Sequence, residues 1–280
     1  MDRCIISIVR GGPSPEEQLP VLKSAGWDGV FFTWTGMQDD RSLAAAIGRE
    51  GLALQSVHAP YDRADVLWES DEEGEAEVLR QIACIRDAAS WGCGLVVMHA
   101  VVGMERISPK ESERERAFRL FERIFEAARE ADVLVALENT EGEQYLDALL
   151  THFRGHPAVR FCIDTGHEMC YDHGHVLIGK YSDLLYCTHL NDNLGMSGST
   201  ITWLDDLHLL PFDGAADWEG IVSRLHAAHY RGDLTFEVKL EGREGRHEHD
   251  AYRALSFFGY ASLARERAER LRKMFFAIQP

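Results

Sequence analysis

A parallel (β/α)8 barrel, the TIM barrel of the α/β class, is the fold this sequence predicts, and three observations predict it. Apolar runs alternate with helical stretches eight times along the 280 residues. Six of those runs end on a metal-ligating side chain and pass into a loop: LALQSV-His58, LVVM-His99, VLVAL-Glu138, VRFCI-Asp164, LLYCT-His189 and LTF-Glu237. No composition shift or Ser/Gly linker marks a boundary, so residues 1–280 read as one domain with a large core. Short apolar runs bounded by Gly, Pro and Asn/Asp read as buried strands, and strands that alternate with helices favour a parallel sheet. A single polar ending would be ordinary, because strand ends meet water. Six that are all His, Asp or Glu imply that the C-terminal strand ends converge on one site, as in a parallel barrel.

The elements follow in order. CIISIV (4–9) is the first strand, and Ser14 can cap a helix over 15–25 with Pro15 at its first position. GVFFTW (29–34) is the second, followed by helix 39–50 around LAAAIG. LALQSVH (52–58) is the third; a loop with Pro60, Tyr61, Asp62 and Trp68 leads to a long helix over 72–91. GLVVMH (94–99) is the fourth, and helix 111–131 carries Phe118, Phe121, Ile124 and Phe125 at helical spacing, a core-facing stripe. VLVALEN (133–139) is the fifth, with helix EQYLDALLTHF behind it. VRFCID (159–164) is the sixth, with a short helix near 172–180. DLLYCTHL (183–190) is the seventh; a polar loop over 191–218 leads to helix 218–229. DLTFEVK (233–239) is the eighth, and helix 249–275 closes the pattern.

Charge narrows the function classes. The formal net charge is −17, from 46 acidic against 29 basic residues. Such a field repels phosphate backbones and anionic lipid, so no nucleic-acid or membrane partner is expected. The basic residues are interleaved with Glu, as in KESERERAFRLFER and ARERAERLRK, and read as solvated helix faces. Six cysteines form no CxxC pair, and Cys4, Cys162 and Cys187 lie inside strand runs as small hydrophobes. No stretch approaches the ~20 apolar residues of a membrane span, and CIISIV is too short for a signal core. The expected location is the cytoplasm, with homo-oligomerisation left open.

Glu138, Asp164, His189 and Glu237 end strands five to eight and are the primary ligand candidates. Three carboxylates and an imidazole suit a hard or borderline divalent ion such as Mn²⁺, Mg²⁺ or Co²⁺ better than a structural zinc. Carboxylates gathered so closely repel one another unless a cation sits among them. His58, His99 and His167 form a second tier, for which substrate binding is the favoured role. Asp206 and His208, in the loop after strand seven, form a weaker pair. His152, His156, His173, His175, His226, His229, His247 and His249 fall on helices or exposed loops and are expected to be solvated.

DTGHE, HLNDN, LEN, the DLHLLPFDGAADW loop and FEVK resemble the sugar isomerase/epimerase branch of the xylose isomerase-like barrels, over nearly the whole chain. The resemblance implies one divalent metal (Mn, Mg, Co or Zn) held by Glu138, Asp164, His189 and Glu237, with Glu138 and Glu237 also flanking the substrate carbon as acid and base. It puts His58, His99 and His167 where the family binds substrate oxygens or extra metals. Many of these relatives end strand two on an acidic residue, whereas this chain has Phe31-Phe32-Thr33-Trp34. Trp34 is therefore read as an aromatic wall of the substrate pocket. The same superfamily contains endonuclease IV-like enzymes with three zinc ions. His58, His99, Glu138, Asp164, His167, His189, Asp206, His208 and Glu237 match their nine ligand positions by type and order.

Chemically, removing a proton beside a carbonyl leaves an enediolate, whose charge a Lewis acid stabilises. One glutamate can take that proton and the other return one. Return to the same carbon is epimerisation, return to the neighbouring carbon is isomerisation, and loss of a β-hydroxyl is an inosose-type dehydration. The expected function is thus a metal-dependent isomerase or epimerase of a small sugar, keto-sugar or sugar phosphate in carbohydrate metabolism. An endonuclease IV-like phosphodiesterase and a non-catalytic sugar-binding barrel are the alternatives. No Gly-rich phosphate cradle stands out, although GREG (242–245) is a weak candidate whose glycines serve equally well as turn residues.

Overall fold

The computed structural model describes residues 3–103, 108–171 and 174–277. Its strands are β1 (Cys4–Ser7), β2 (Gly29–Thr33), β3 (Ala53–His58), β4 (Leu95–His99), β5 (Leu134–Glu138), β6 (Val159–Asp164), β7 (Leu185–His189) and β8 (Leu234–Phe236). They form one sheet in the order β7-β6-β5-β4-β3-β2-β1-β8, with parallel pairing at β1–β2, β1–β8, β3–β4, β4–β5 and β5–β6. A parallel bridge from Leu190 to Phe236 joins the two ends of that order. The eight parallel strands make a nearly closed (β/α)8 barrel.

Packing divides the chain into two compact units, and three of the boundaries fall inside β2, β3 and β6. The first holds Met1–Phe31, Leu43–Leu54 and Ile163–Pro280. Here Trp27 is buried edge-on against Phe236 at 5.8 Å and donates its indole N–H to the Ala261 carbonyl at 3.1 Å. The second holds Phe32–Ser42 and Gln55–Cys162. Its helix Glu111–Glu130 buries Ala117, Leu120, Phe121, Ile124, Phe125 and Ala128, a stripe at helical period that turns a chain rich in Glu and Arg into a one-sided element. Phe118 is only half-buried and stacks on His152 at 3.9 Å. Trp68 packs against Phe121 and Tyr145 and donates to the Ala100 carbonyl at 2.7 Å. All six cysteines are buried.

Three departures from the expected elements have local causes. Val66–Glu69 forms a four-residue helix with Val66, Leu67 and Trp68 buried, too short to show a period in sequence. The closing helix breaks into Asp250–Arg253 and Phe257–Ala277, because Ser256 Oγ accepts the Gly259 N–H and starts a new helix. The helix expected near 172–180 begins earlier, as Thr165–Cys170 directly after β6, with a second turn at Leu177–Lys180.

Candidate metal centre

Asp164 closes β6 and is fully buried. One carboxylate oxygen accepts the His167 backbone N–H at 2.7 Å, capping the helix Thr165–Cys170; the other accepts Asn191 Nδ2 at 2.8 Å. The DTG and NDN segments are therefore one device. Thr165 Oγ1 donates to the Asn191 carbonyl at 2.8 Å, and Asn193 Nδ2 to the Gly166 carbonyl at 3.3 Å. A Cβ on Gly166 would lie 1.9 Å from Asn191 Oδ1, so only glycine lets Asn191 reach the carboxylate. Asp192, between the two asparagines, organises the loop that follows. Its carboxylate accepts from the Asn193, Phe212 and Ala216 backbone N–H groups and from Trp218 Nε1, all within 2.8–2.9 Å.

His189 ends β7 with its ring fully buried, stacked on Phe31 at 4.7 Å with an interplanar angle of 7°. Its Nδ1 lies 3.0 Å from Glu237 Oε2. Glu237 is partly open, its side chain 20% exposed. Its backbone N–H donates to the Leu190 carbonyl at 3.3 Å, fixing it just past β8.

In the second unit, β4–β5 pairing sets His99 opposite Glu138, and Glu138 opposite Cys162 of β6. Glu138 Oε2 lies 3.1 Å from His58 Nε2 and 3.4 Å from His99 Nε2. His58 Nδ1 sits 2.7 Å from the Ala59 carbonyl, which can only accept, so Nδ1 carries the proton. A lone pair on His58 Nε2 would then face a carboxylate oxygen, a repulsive pair unless a proton or cation lies between them. Burial lowers the His99 pKa against the opposing pull of Glu138, which favours the neutral, ligand-competent imidazole. Tyr61 stacks on the His99 ring at 4.5 Å. Trp34 is buried and spends its indole N–H on Asp87 Oδ2 at 2.9 Å, leaving the ring alone to meet a ligand.

His167, Asp206 and His208 come together as a further cluster of the first unit. His208 Nε2 lies 2.8 Å, and His167 Nε2 3.6 Å, from Asp206 Oδ1. His208 is held at φ 53, in the left-handed region unusual for a side-chain-bearing residue. Arg243 and Lys239, which the sequence did not single out for this site, join the cluster. Arg243 Nη2 and Nε donate to Asp206 Oδ2 and to its carbonyl at 2.6 and 2.8 Å, and Lys239 Nζ lies 3.6 Å from the same Oδ2. Burial alone would raise the Asp206 carboxyl, but the charges of His208 and Lys239 hold it well below the usual carboxylate range.

The remaining histidines divide. His247 is open to solvent beside Asp250, and His175 pairs with Glu168 at 2.9 Å. His156 meets Glu126 at 3.0 Å. His173 lies outside the described residues. His249 corrects the expectation of a solvated loop: it is fully buried, beside the edge of Tyr252 at 5.7 Å. Burial pushes its imidazole down to about 4, only partly offset by the Leu207 backbone. Below pH ~6.5 the unfolded chain takes up a proton that the folded chain resists down to about pH 4. Stability should therefore fall with pH across that window, by at most about 1.4 kcal/mol per pH unit from this group. Thermal melts of wild type and His249→Phe from pH 7 to 4 should show the shallower slope in the variant; equal slopes would remove His249 from the account.

Comparison with known proteins agrees with this architecture. A curated relative, the uncharacterised protein y4fM of Sinorhizobium fredii, is 31% identical over 163 residues, 55% of this chain and 50% of the relative. The chain thus matches about half the length of that protein. Solved structures similar over almost the whole chain include the E. coli 3-keto-D-glucoside 4-epimerase YcjR, at TM-score 0.70 and 18% identity, covering 97% of this chain and 99% of that one. An L-ribulose 3-epimerase follows at TM-score 0.71 and 19% identity, with 100% of both chains covered. D-psicose 3-epimerase from Clostridium cellulolyticum H10, solved with D-tagatose, gives TM-score 0.74 at 13% identity, covering 98% and 99%. Identities this low speak to the fold alone. Among the described residues no helix is long and apolar enough to cross a membrane. The profile of the Xylose isomerase-like TIM barrel family matches residues 19–259, and the chain belongs to that family.

Proposed function

We propose that the protein is a divalent-metal-dependent isomerase or epimerase of a small keto-sugar, with Glu138, Asp164, His189 and Glu237 sharing one cation. The observation that carries this reading is the arrangement of Asp164, His189 and Glu237 within the first unit, to which the sequence adds Glu138 at the end of β5. Asp164 is held by Asn191, two residues after His189, and His189 lies 3.0 Å from Glu237. Three carboxylates with one imidazole form an oxygen-rich donor set that fits Mn²⁺, Mg²⁺ or Co²⁺, and Zn²⁺ as a borderline ion. The sugar epimerases among the similar structures are consistent with a carbohydrate substrate.

When bound, the cation would act as a Lewis acid toward the substrate carbonyl. The chain's own groups do the proton work. Glu138 ends β5 and Glu237 follows β8; in this reading a substrate between them loses a proton to one and gains one from the other. Where the proton returns decides between epimerisation and isomerisation. His58, His99, His167 and His208 supply ring nitrogens for hydroxyl groups, with Asp206 as their acceptor and Trp34 as a wall. The test is elemental analysis of the purified protein, followed by a turnover screen over ketoses, aldoses and their phosphates. A metal-free protein inert toward all of them after metal addition would overturn the reading.

Asn191 is the positioning residue of this centre. Losing a partner that orients a ligand lowers metal affinity by about 10–100-fold. Asn191→Ala should do so in a competition titration against a chelator, with the secondary structure retained. Unchanged affinity would detach Asn191 from the metal.

The phosphodiesterase reading draws support from the clustering of His58 and His99 on Glu138 and of His167 and His208 on Asp206. The net charge of −17 and the salt bridges that already occupy Asp206 weigh against it. No sub-micromolar binding or incision of labelled abasic duplex is expected at about 0.15 M salt. Either result would promote the nuclease.

A further inference from the structure

We propose that Lys239 and Arg243, with Asp206 between them, bind an anionic group of the substrate, a carboxylate or a phosphate monoester. The inference rests on the metal-centred reading and names the end of the substrate that the metal does not hold. It begins with two cations on one carboxylate. Asp206 Oδ2 lies 2.6 Å from Arg243 Nη2, 3.0 Å from His208 Nε2 and 3.6 Å from Lys239 Nζ. Glu237 and Arg10 add opposite charges to the field at Lys239. Two cations thus converge on one carboxylate, and cations crowded on a single partner favour the approach of a second anion.

The donors are pre-positioned. Arg243 is pinned at Nε by the Asp206 carbonyl at 2.8 Å, with its guanidinium carbon 5.3 Å from the Trp203 ring. A guanidinium held in plane presents its remaining N–H groups in the fork that matches a carboxylate or phosphate. Lys239 is 9% exposed, and among the described residues its Nζ makes no hydrogen bond, Asp206 lying just beyond reach. A buried ammonium with three unspent donors is costly until an acceptor arrives. The frame around the pair is rigid: Lys239 N–H donates to the His208 carbonyl at 3.2 Å, and Arg246 ties the neighbouring Asp205 at 3.0 Å. Thus it is the arginine of GREG, more than its glycines, that makes this turn a candidate anion site.

Position relates the anion to the reaction. His167 bridges the two places, with Nε2 3.6 Å from Asp206 Oδ1 and Nδ1 3.8 Å from Asp164 Oδ1. The anion would therefore sit about one imidazole width from a proposed metal ligand. That separation suits a short substrate with its carbonyl at one end and its charge at the other. Two cations on Asp206 also compete with any further metal ion there.

The test has a binding arm and a kinetic arm. Manganese-loaded and chelator-stripped protein are titrated calorimetrically with inorganic phosphate and, separately, with malonate. Wild type should bind one of the two with Kd near or below about 1 mM, with or without manganese, and the preferred anion identifies the group. Lys239→Met and Arg243→Gln should each weaken binding by about tenfold or more. Should either variant fold poorly, Lys239→Arg and Arg243→Lys keep the charge and should retain most of the affinity. No binding of either anion by wild type, equal binding by Lys239→Met, or binding that needs the metal would overturn the proposal. In the kinetic arm, kcat/KM for ketose phosphates and keto-uronates is divided by that for the neutral ketoses. The ratio should exceed one in wild type and fall in both variants. Turnover of neutral ketoses with no anionic preference would sink this inference and leave the metal-dependent reaction standing. Lys239-dependent anion binding in a protein inert toward every sugar would do the reverse.

Discussion

His189→Ala should remove most of the bound metal, and with it any turnover. The ring is fully buried, clamped against Phe31 at 4.7 Å, and aimed at Glu237 from 3.0 Å, so nothing else in its place can supply a nitrogen donor. What would remain is three carboxylates, whose mutual repulsion the lost imidazole no longer tempers. Removing a partner that merely orients a ligand costs about 10–100-fold in affinity; removing the ligand should cost at least the upper end of that range. The measurement is metal content by elemental analysis after dialysis against a weak chelator. His247→Ala is the matched control, because that side chain is 85% exposed and pairs with Asp250 at the start of the next helix. Equal metal loss in both variants would sink the assignment.

The contrast between these two histidines shows what the sequence carried. His189 was legible because its signal is local: an apolar run, then a ligand, then a loop. The same signal marked His58, His99, Glu138, Asp164 and Glu237, and a parallel sheet needs only its strand order to bring such endings to one side. Contacts made across the chain left no local signal. Asn191 reaches back 27 residues to Asp164, and Arg243 reaches back 37 to Asp206. His249 sits among charged residues in RHEHD, a solvated pattern by composition, yet the fold buries it completely. Likewise Trp34 is an aromatic strand end in sequence, but only the structure reveals that its indole N–H is committed to Asp87. Burial and hydrogen-bond partners at such distances are properties of the packed barrel and of no window along it.

The proton-transfer pair carries the other large effect. Glu138→Gln and Glu237→Gln should each abolish turnover while retaining some metal, since glutamine keeps the shape and one oxygen ligand but cannot accept the proton. Loss of a positioned acid or base costs about 10²–10⁴-fold, and weaker metal binding would add to that. The two environments differ in a way the experiment can read. Glu138 is fully buried between His58 and His99, whereas the Glu237 side chain is 20% exposed. A proton on Glu237 should therefore exchange with solvent faster than one on Glu138. In deuterated water the wild type should place deuterium on the carbon beside the carbonyl, delivered from the Glu237 side. Glu237→Gln should lose that label in recovered substrate along with turnover. Glu138→Gln should still wash the label into substrate from one face, if Glu237 alone can take and return the proton there. Turnover without any solvent deuterium would point to a shielded return or a hydride shift. Near-normal rates in both variants would show that neither carboxylate moves the proton.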